Sequence, residues 1–334
     1  MLIFISKKIK KIFSILLFKF TYDMKTTIYY PAKILLFGEY GIIKDYPALS
    51  IPYKVYKGNL KLNLHFNNEP LFLNSNKEIR KYYNFICLEK EKKNKLYFAK
   101  CNLEKFFQDI KNGIFFKSNI PIKYGIGSSG ALVAAIYDNY FKKHKTHNLV
   151  ILKKIFSYME SFFHGISSGM DPLICYLNKP LLFSYKEISI MKIPKNNKKG
   201  KGAIFLLNSG FPCNTICMIN IFIKKFKRLQ FQRILKYEFS KYNEKCIEHL
   251  LTSDFENLLK NVKKLSIWIL HHLQSMIPKN LLKIWKEGIY NNIHYFKLCG
   301  SGGGGYMLGF SPNYKLSKKI LIQYKYKVKE VLRF

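Results

Sequence analysis

Residues Pro121 to Phe141, PIKYGIGSSGALVAAIYDNYF, constrain this chain most. They read as a short extended segment, a loop of small residues and the start of a helix. Gly125, Gly127 and Gly130 carry no Cβ, so the backbone can turn tightly and come close to a ligand. Ser128 and Ser129 supply N-cap chemistry for a helix opening near Gly130. The N–H groups of such a first turn, with the positive end of the helix dipole, form an anion site suited to phosphate. An ordinary Ser-capped helix after a flexible loop is the other reading of the same residues.

Two familiar phosphate motifs are excluded. Gly125-x-Gly127-x-x-Gly130 satisfies the dinucleotide fingerprint, which also needs an acidic residue about 20 positions further on to hold a ribose. No Asp or Glu lies between Asp138 and Glu160. The P-loop pattern G-x-x-x-x-G-K-[ST] occurs nowhere in the chain. What remains is a phosphate loop of another kind.

The 334 residues suffice for two domains, and a hydrophobic content of 48% argues for a globular protein and against disorder. The seven cysteines form no C-x-x-C and no metal or disulfide framework, which favours a reducing cytoplasm. A net charge of +37 invites a nucleic-acid reading. The lysines are spread along the whole chain, however, and Lys, Asn, Ile, Tyr and Phe are abundant together. That pattern favours compositional drift, although such a surface would attract anionic substrates and bind nucleic acid non-specifically at low salt.

Residues 1–23 differ in character from the rest of the chain. Lys7, Lys8, Lys10 and Lys11 precede a short apolar run that Lys19 interrupts, too short to span a membrane and without a small-residue cleavage pattern. They are expected to be an extension outside the fold, with a weak membrane-surface anchor as the alternative. Ile34 to Phe37 reads as a buried strand, followed by a turn, Gly38 to Gly41, that carries Glu39. Leu60 to Phe66 and Asn84 to Tyr97 have strand character, and Asn102 to Lys111 reads as a short amphipathic helix. Leu149 to Phe163 has apolar residues at helical spacing, with Glu160 near its end. Taken singly, such a Glu is a solvated residue, and Lys33 is an exposed strand end. Lys195 to Lys201 reads as a linker and Ala203 to Leu207 as a strand. Helix is expected from Ile219 to Met276, with a break near Thr252–Ser253. Phe296 to Phe310 is a strand, a glycine loop and a strand. Four consecutive glycines are costly in entropy, so a ligand or a second loop is expected to pack there.

Three stretches together resemble the GHMP kinases, small-molecule kinases named for galactose, homoserine, mevalonate and phosphomevalonate. PAKILLFGEYGIIKDYPAL is similar to their first motif, PIKYGIGSSGALVAA to the P-x3-G-L-G-S-S-A phosphate loop, and KLCGSGGGGYM to K-x-T-G-A-G-G-G-G. Order and spacing match, from Met24 nearly to the end of the chain. A fourth stretch, Glu160, His164-Gly165 and Ser168-Gly169-x-Asp171, resembles the E-x3-H-G-x-P-S-G-x-D segment of mevalonate kinases. Tyr40 stands where many of these have His, Ser167 replaces Pro, and Cys299 and Ser301 replace Thr and Ala.

The resemblance implies a two-domain α+β GHMP kinase fold. A ribosomal-protein-type β-α-β domain would occupy 24–198 and a ferredoxin-like domain 199–334, with the active site in the cleft between them. The implied activity is ATP- and Mg²⁺-dependent phosphorylation of the C5 hydroxyl of mevalonate, in isoprenoid precursor synthesis. Phosphomevalonate or homoserine kinase activity is the alternative within the class; a non-catalytic RNA-binding protein is the alternative outside it. Asp171 is implied as the catalytic base with Lys33 beside it. Gly125, Ile126, Gly127, Ser128, Ser129 and Gly130 would hold the ATP phosphates, and Ser129 and Glu160 would hold Mg²⁺. Glu39, Tyr40 and His164 would contact substrate, and Gly300, Ser301, Gly302 and Gly303 would form the supporting glycine loop. The implied partner is the small-molecule substrate, with no specific nucleic acid and no stable membrane insertion; homodimerisation is left open.

Overall fold

The computed structural model describes residues 28–41, 46–62, 70–91, 98, 100–141, 148–165, 167–185 and 187–334. The extension assigned to residues 1–23 lies outside them. The first strand, β1 (Tyr30–Phe37), is buried at every position, as its apolar run requires. Pro31 cannot donate to a ladder, and the register with the next strand shifts between Pro31 and Ala32. That next strand, β2 (Ala48–Leu62), is the centre of the first sheet. It pairs antiparallel with β1 on one side, and on the other with β3 (Ile114–Ser118) and β4 (Leu181–Ser184). A short fifth strand, β5 (Glu187–Ile190), continues from β4.

Five described helices accompany this sheet: α1 (Pro70–Glu91), α2 (Leu103–Lys111), α3 (Ser128–Tyr140), α4 (Leu149–His164) and α5 (Met170–Leu177). Asn102 and Asn148 cap α2 and α4 by accepting first-turn N–H groups. Helix α1 corrects the strand expected from Asn84, whose last residues, 92–97, lie outside the described set. Aromatic and β-branched residues such as Tyr82, Tyr83 and Ile86 look strand-like by propensity. Ile79, Tyr82 and Ile86 nevertheless fall on one helical face, and all three are buried. Packing of that face overrides local preference.

Residues 191–202 lead to a second sheet of four antiparallel strands, β6 (Ala203–Asn208), β7 (Tyr295–Leu298), β8 (Tyr306–Ser311) and β9 (Val328–Arg333). Their spatial order, β7-β8-β6-β9, with helices between β6 and β7 and between β8 and β9, is the split-βαβ arrangement of ferredoxin-like folds. The helices are α6 (Thr215–Phe226), α7 (Leu229–Ile234), α8 (Ser240–Leu251), α9 (Phe255–His272), α10 (Leu282–Tyr290) and α11 (Tyr314–Gln323). The expected break near Thr252–Ser253 separates α8 from α9, and Ser253 there has a left-handed φ of +63°. Helix starts earlier than Ile219, at Thr215, and a second break falls at Lys227–Arg228.

The two sheets share one continuous core. The Phe37 and Phe310 rings lie 5.6 Å apart, and Tyr53 Oη donates to Glu330 O at 2.9 Å. Asn243 Nδ2 on α8 donates to Pro47 O at 2.7 Å. Among the described residues, no helix is long and apolar enough to cross a membrane. All seven cysteines are free thiols.

Candidate active site

Helix α3 opens at Ser128 rather than Gly130, and its N-cap is Gly127, with φ +79° and no side-chain cap. The expected serine cap is therefore corrected: a residue with positive φ is needed at the turn, and glycine supplies it without strain. The N-cap glycine offers no side chain to the first-turn N–H groups of α3, an arrangement that suits an anion. Lys33 N donates to Ile126 O at 2.9 Å, tying the loop to β1. The buried Ile126 side chain anchors the loop to the core.

Lys33 and Asp171 meet below this loop, with Nζ 3.0 Å from Oδ2. Asp171 stands in the first turn of α5, where a carboxylate is favoured by the helix dipole. Close packing brings it there. A Cβ on Gly130 would lie 2.8 Å from the Asp171 carbonyl carbon, and one on Gly169 only 2.1 Å from Lys153 O on α4. Burial alone would lower the Lys33 pKa. The Asp171 carboxylate, with Cys299 and Glu160 nearby, outweighs it and holds the ammonium above its usual range.

Glu160 is buried near the end of α4, not solvated. Ser129 Oγ donates to its Oε1 at 3.1 Å and Ser167 Oγ to its Oε2 at 2.5 Å. Burial, then repulsion from Asp171, pushes its pKa up to about 8 against these two hydrogen bonds and the Lys33 ammonium. The sign of that shift is testable. Between the ordinary carboxyl range and pH 8 the folded, nucleotide-free protein keeps a proton that the unfolded chain releases, so stability falls as pH rises. The slope contributed by one such group is up to about 1.4 kcal/mol per pH unit. Glu160→Gln is expected to gain in melting temperature relative to the parent between pH 5 and pH 8; parallel pH curves for the two proteins would contradict this.

The second glycine loop, Gly300 to Gly305, packs against the first. Tyr306 N donates to Tyr124 O at 3.2 Å, and a Cβ on Gly305 would lie 2.6 Å from Tyr124 Cα. Gly125 has φ +78°, and a Cβ there would lie 2.3 Å from Cys299 O. Gly125→Ala is accordingly expected to cost on the order of 2 kcal/mol of stability. An unchanged melting temperature would mean the loops can separate freely. The expectation that a ligand or a second loop packs on the four glycines is met in part: Gly305 packs on Tyr124, while Gly303 and Gly304 are covered by Met218 and Pro212.

Tyr40 lies beside this second loop. Its backbone is left-handed, with φ +55°, and its Oη donates to Ser301 O at 2.6 Å. Its ring stacks on Phe222 of α6 with centroids 4.3 Å apart. Glu39 is buried and ion-paired with Lys297 on β7. Burial pushes its carboxyl up against the opposing pull of that ammonium. His164 closes α4, and its side chain lies outside the described residues.

Several residues of this neighbourhood have no role assigned from sequence. Lys297 belongs to the third family-like stretch, and a lysine inside the apolar run Tyr295–Leu298 is itself a signal of a buried charge needing a partner. Ser167, standing where the mevalonate kinase segment has Pro, donates to Glu160. Cys213 Sγ lies 3.0 Å from Ser301 Oγ, a contact that no local pattern announces.

Residues 94–179 match the family model for the GHMP kinases N terminal domain, and the chain has the GHMP kinase fold. Among solved structures, mevalonate kinase from Methanococcus jannaschii is 20% identical, with a TM-score of 0.60 over 93% of this chain and 99% of that one. Mevalonate kinase from L. major, solved with R-mevalonate, is 15% identical with a TM-score of 0.64, over 93% and 97% of the two chains. Streptococcus pneumoniae phosphomevalonate kinase, solved with phosphomevalonate and AMPPNP, is 12% identical with a TM-score of 0.60, over 92% and 100%. No curated protein matches the chain by sequence.

Proposed function

We propose that the chain is a mevalonate kinase, transferring the γ-phosphoryl group of ATP to the C5 hydroxyl of mevalonate. The observation that carries this reading is the Lys33–Asp171 pair, 3.0 Å long, lying beside the glycine-capped N-terminus of α3 and the Ser129–Glu160 pair. Phosphoryl transfer needs positioning and charge neutralisation more than covalent work, and this arrangement supplies both. The N–H groups of residues 125–130 hold the phosphates. Lys33 offsets charge on the transferred group and keeps Asp171 oriented. Asp171 accepts the proton of the substrate hydroxyl. Tyr40, with Ser301 behind its hydroxyl, forms part of the substrate wall.

The donors at Ser129 and Glu160 fit Mg²⁺. Both are hard oxygen ligands, and a buried carboxyl that otherwise keeps its proton near neutral pH gains from a cation. When bound, Mg²⁺ supplies charge neutralisation at the phosphate oxygens. We assign the two sheets to domains 24–198 and 199–334 and place the enzyme in the cytoplasm.

The test is ADP release by the purified full-length chain with ATP and Mg²⁺, offering mevalonate, phosphomevalonate and homoserine separately. Turnover on mevalonate alone is the expected result. Turnover on another of the three would keep the kinase and reject the substrate, pointing to Tyr40 and Cys299. No turnover with any of them would reject the assignment.

A further inference from the structure

Two buried charges meet where the two sheets touch, and the phosphoryl-transfer chemistry uses neither. Lys297 on β7 is 0% exposed and Glu39, in the turn after β1, is 3% exposed, so solvent solvates neither charge. They are ion-paired through Nζ and Oε1. The same Nζ donates to Leu298 O at 3.1 Å and lies 5.6 Å from the Phe37 ring centroid. A pair of apolar side chains could fill such a space at no desolvation cost. A buried ion pair demands one relative orientation of its partners and so can specify register.

The register here has consequences on both sides of the pair. On the first sheet, the residue after Glu39 is Tyr40, held to Ser301 O at 2.6 Å. On the second, two residues beyond Lys297 is Cys299, whose carbonyl oxygen is the atom that a Cβ on Gly125 would strike at 2.3 Å. The glycine loop begins at the next position. A shift of β7 against the Gly38–Gly41 turn would therefore carry the glycine loop away from both Tyr40 and the phosphate loop.

We propose that the Glu39–Lys297 pair is a positioning clamp between the two sheets, holding Tyr40 and the Gly300–Gly305 loop in place against Tyr124–Gly125. Only its catalytic consequence rests on the proposed kinase activity; the clamp itself is a property of the nucleotide-free protein.

The experiment is hydrogen–deuterium exchange on the full chain without ligand, comparing the parent with Glu39→Gln/Lys297→Met. The double variant leaves no unpaired buried charge; Glu39→Gln alone, which strands the buried Lys297 ammonium, serves as the second, harsher variant. Exchange across residues 298–306 is expected to accelerate about tenfold in the double variant while α3 and α9 stay at parental rates, marking a local opening and not global unfolding. In turnover assays kcat per folded enzyme, with the folded fraction measured by circular dichroism, is expected to fall about tenfold or more with KM for ATP changed less than threefold; a loss of stability alone lowers the folded fraction and leaves kcat per folded enzyme at the parental value. Parental exchange at 298–306 in both variants overturns the clamp, whatever the turnover. An inactive parent would reject the kinase reading and leave the exchange result to decide the clamp.

Discussion

Asp171→Asn is expected to lower turnover about a thousandfold while ATP affinity stays within about threefold of the parent. Asparagine has nearly the shape of aspartate, and its amide oxygen can still accept from Lys33 Nζ, now 3.0 Å from Oδ2. The packing that places this residue, Gly130 of α3 against the start of α5, involves backbone and Cβ atoms that the substitution leaves alone. What is lost is the negative charge and the capacity to take a proton. The loss should therefore fall on the chemical step and spare nucleotide binding, which we propose rests on the N–H groups of residues 125–130. Single-turnover rates and fluorescent-nucleotide titration would separate the two. Near-parental turnover would remove Asp171 as the base.

Lys33→Met is expected to be comparably severe for turnover, by about 10²- to 10⁴-fold, yet mild for the fold. The two side chains of the pair differ in exposure, 5% for Lys33 and 28% for Asp171. Removal of the ammonium leaves Asp171 partly in water rather than stranded in the core, so the full penalty of breaking a buried pair does not apply. Methionine also keeps the aliphatic stem that packs below Gly127, where a Cβ would lie 2.7 Å from Lys33 Cγ. A stability loss of about 1 kcal/mol is expected, measured by denaturant unfolding. In the proposed mechanism Lys33 and Asp171 act as one unit, so the double variant should be scarcely slower than either single one. Multiplicative losses in the double variant would mean that the two residues act independently.

Much of this molecule was legible locally. The run Ile34–Phe37, the spacing of Leu149–Phe163 and the strand–glycines–strand pattern at Phe296–Phe310 each carry a period or a length that burial enforces, and β1, α4 and the β7–β8 pair follow them. Lys33, Ser129, Glu160 and Asp171 stand out by motif resemblance, and the fold brings them within hydrogen-bonding reach of one another in pairs. Helix α1 was missed because its aromatic residues favour strand locally, and the burial of Ile79, Tyr82 and Ile86 that decides the matter is a tertiary event.

Charge environment belonged to the tertiary structure throughout. From sequence, Glu160 is a helix-end acid and Lys33 a strand-end cation. Three-dimensional packing buries both, raises the Glu160 pKa to about 8 and sets Lys33 against Asp171, far along the chain on another element. The partner of Glu39 lies still further away, on the other sheet. Elements such as β1 and α4, and the glycine turns, come from short-range periodicity and sterics, which a linear string contains. Which charges are desolvated, and by what they are compensated, depends on groups brought together by folding, because desolvation and Coulomb energy are functions of distance in space and not of separation along the chain.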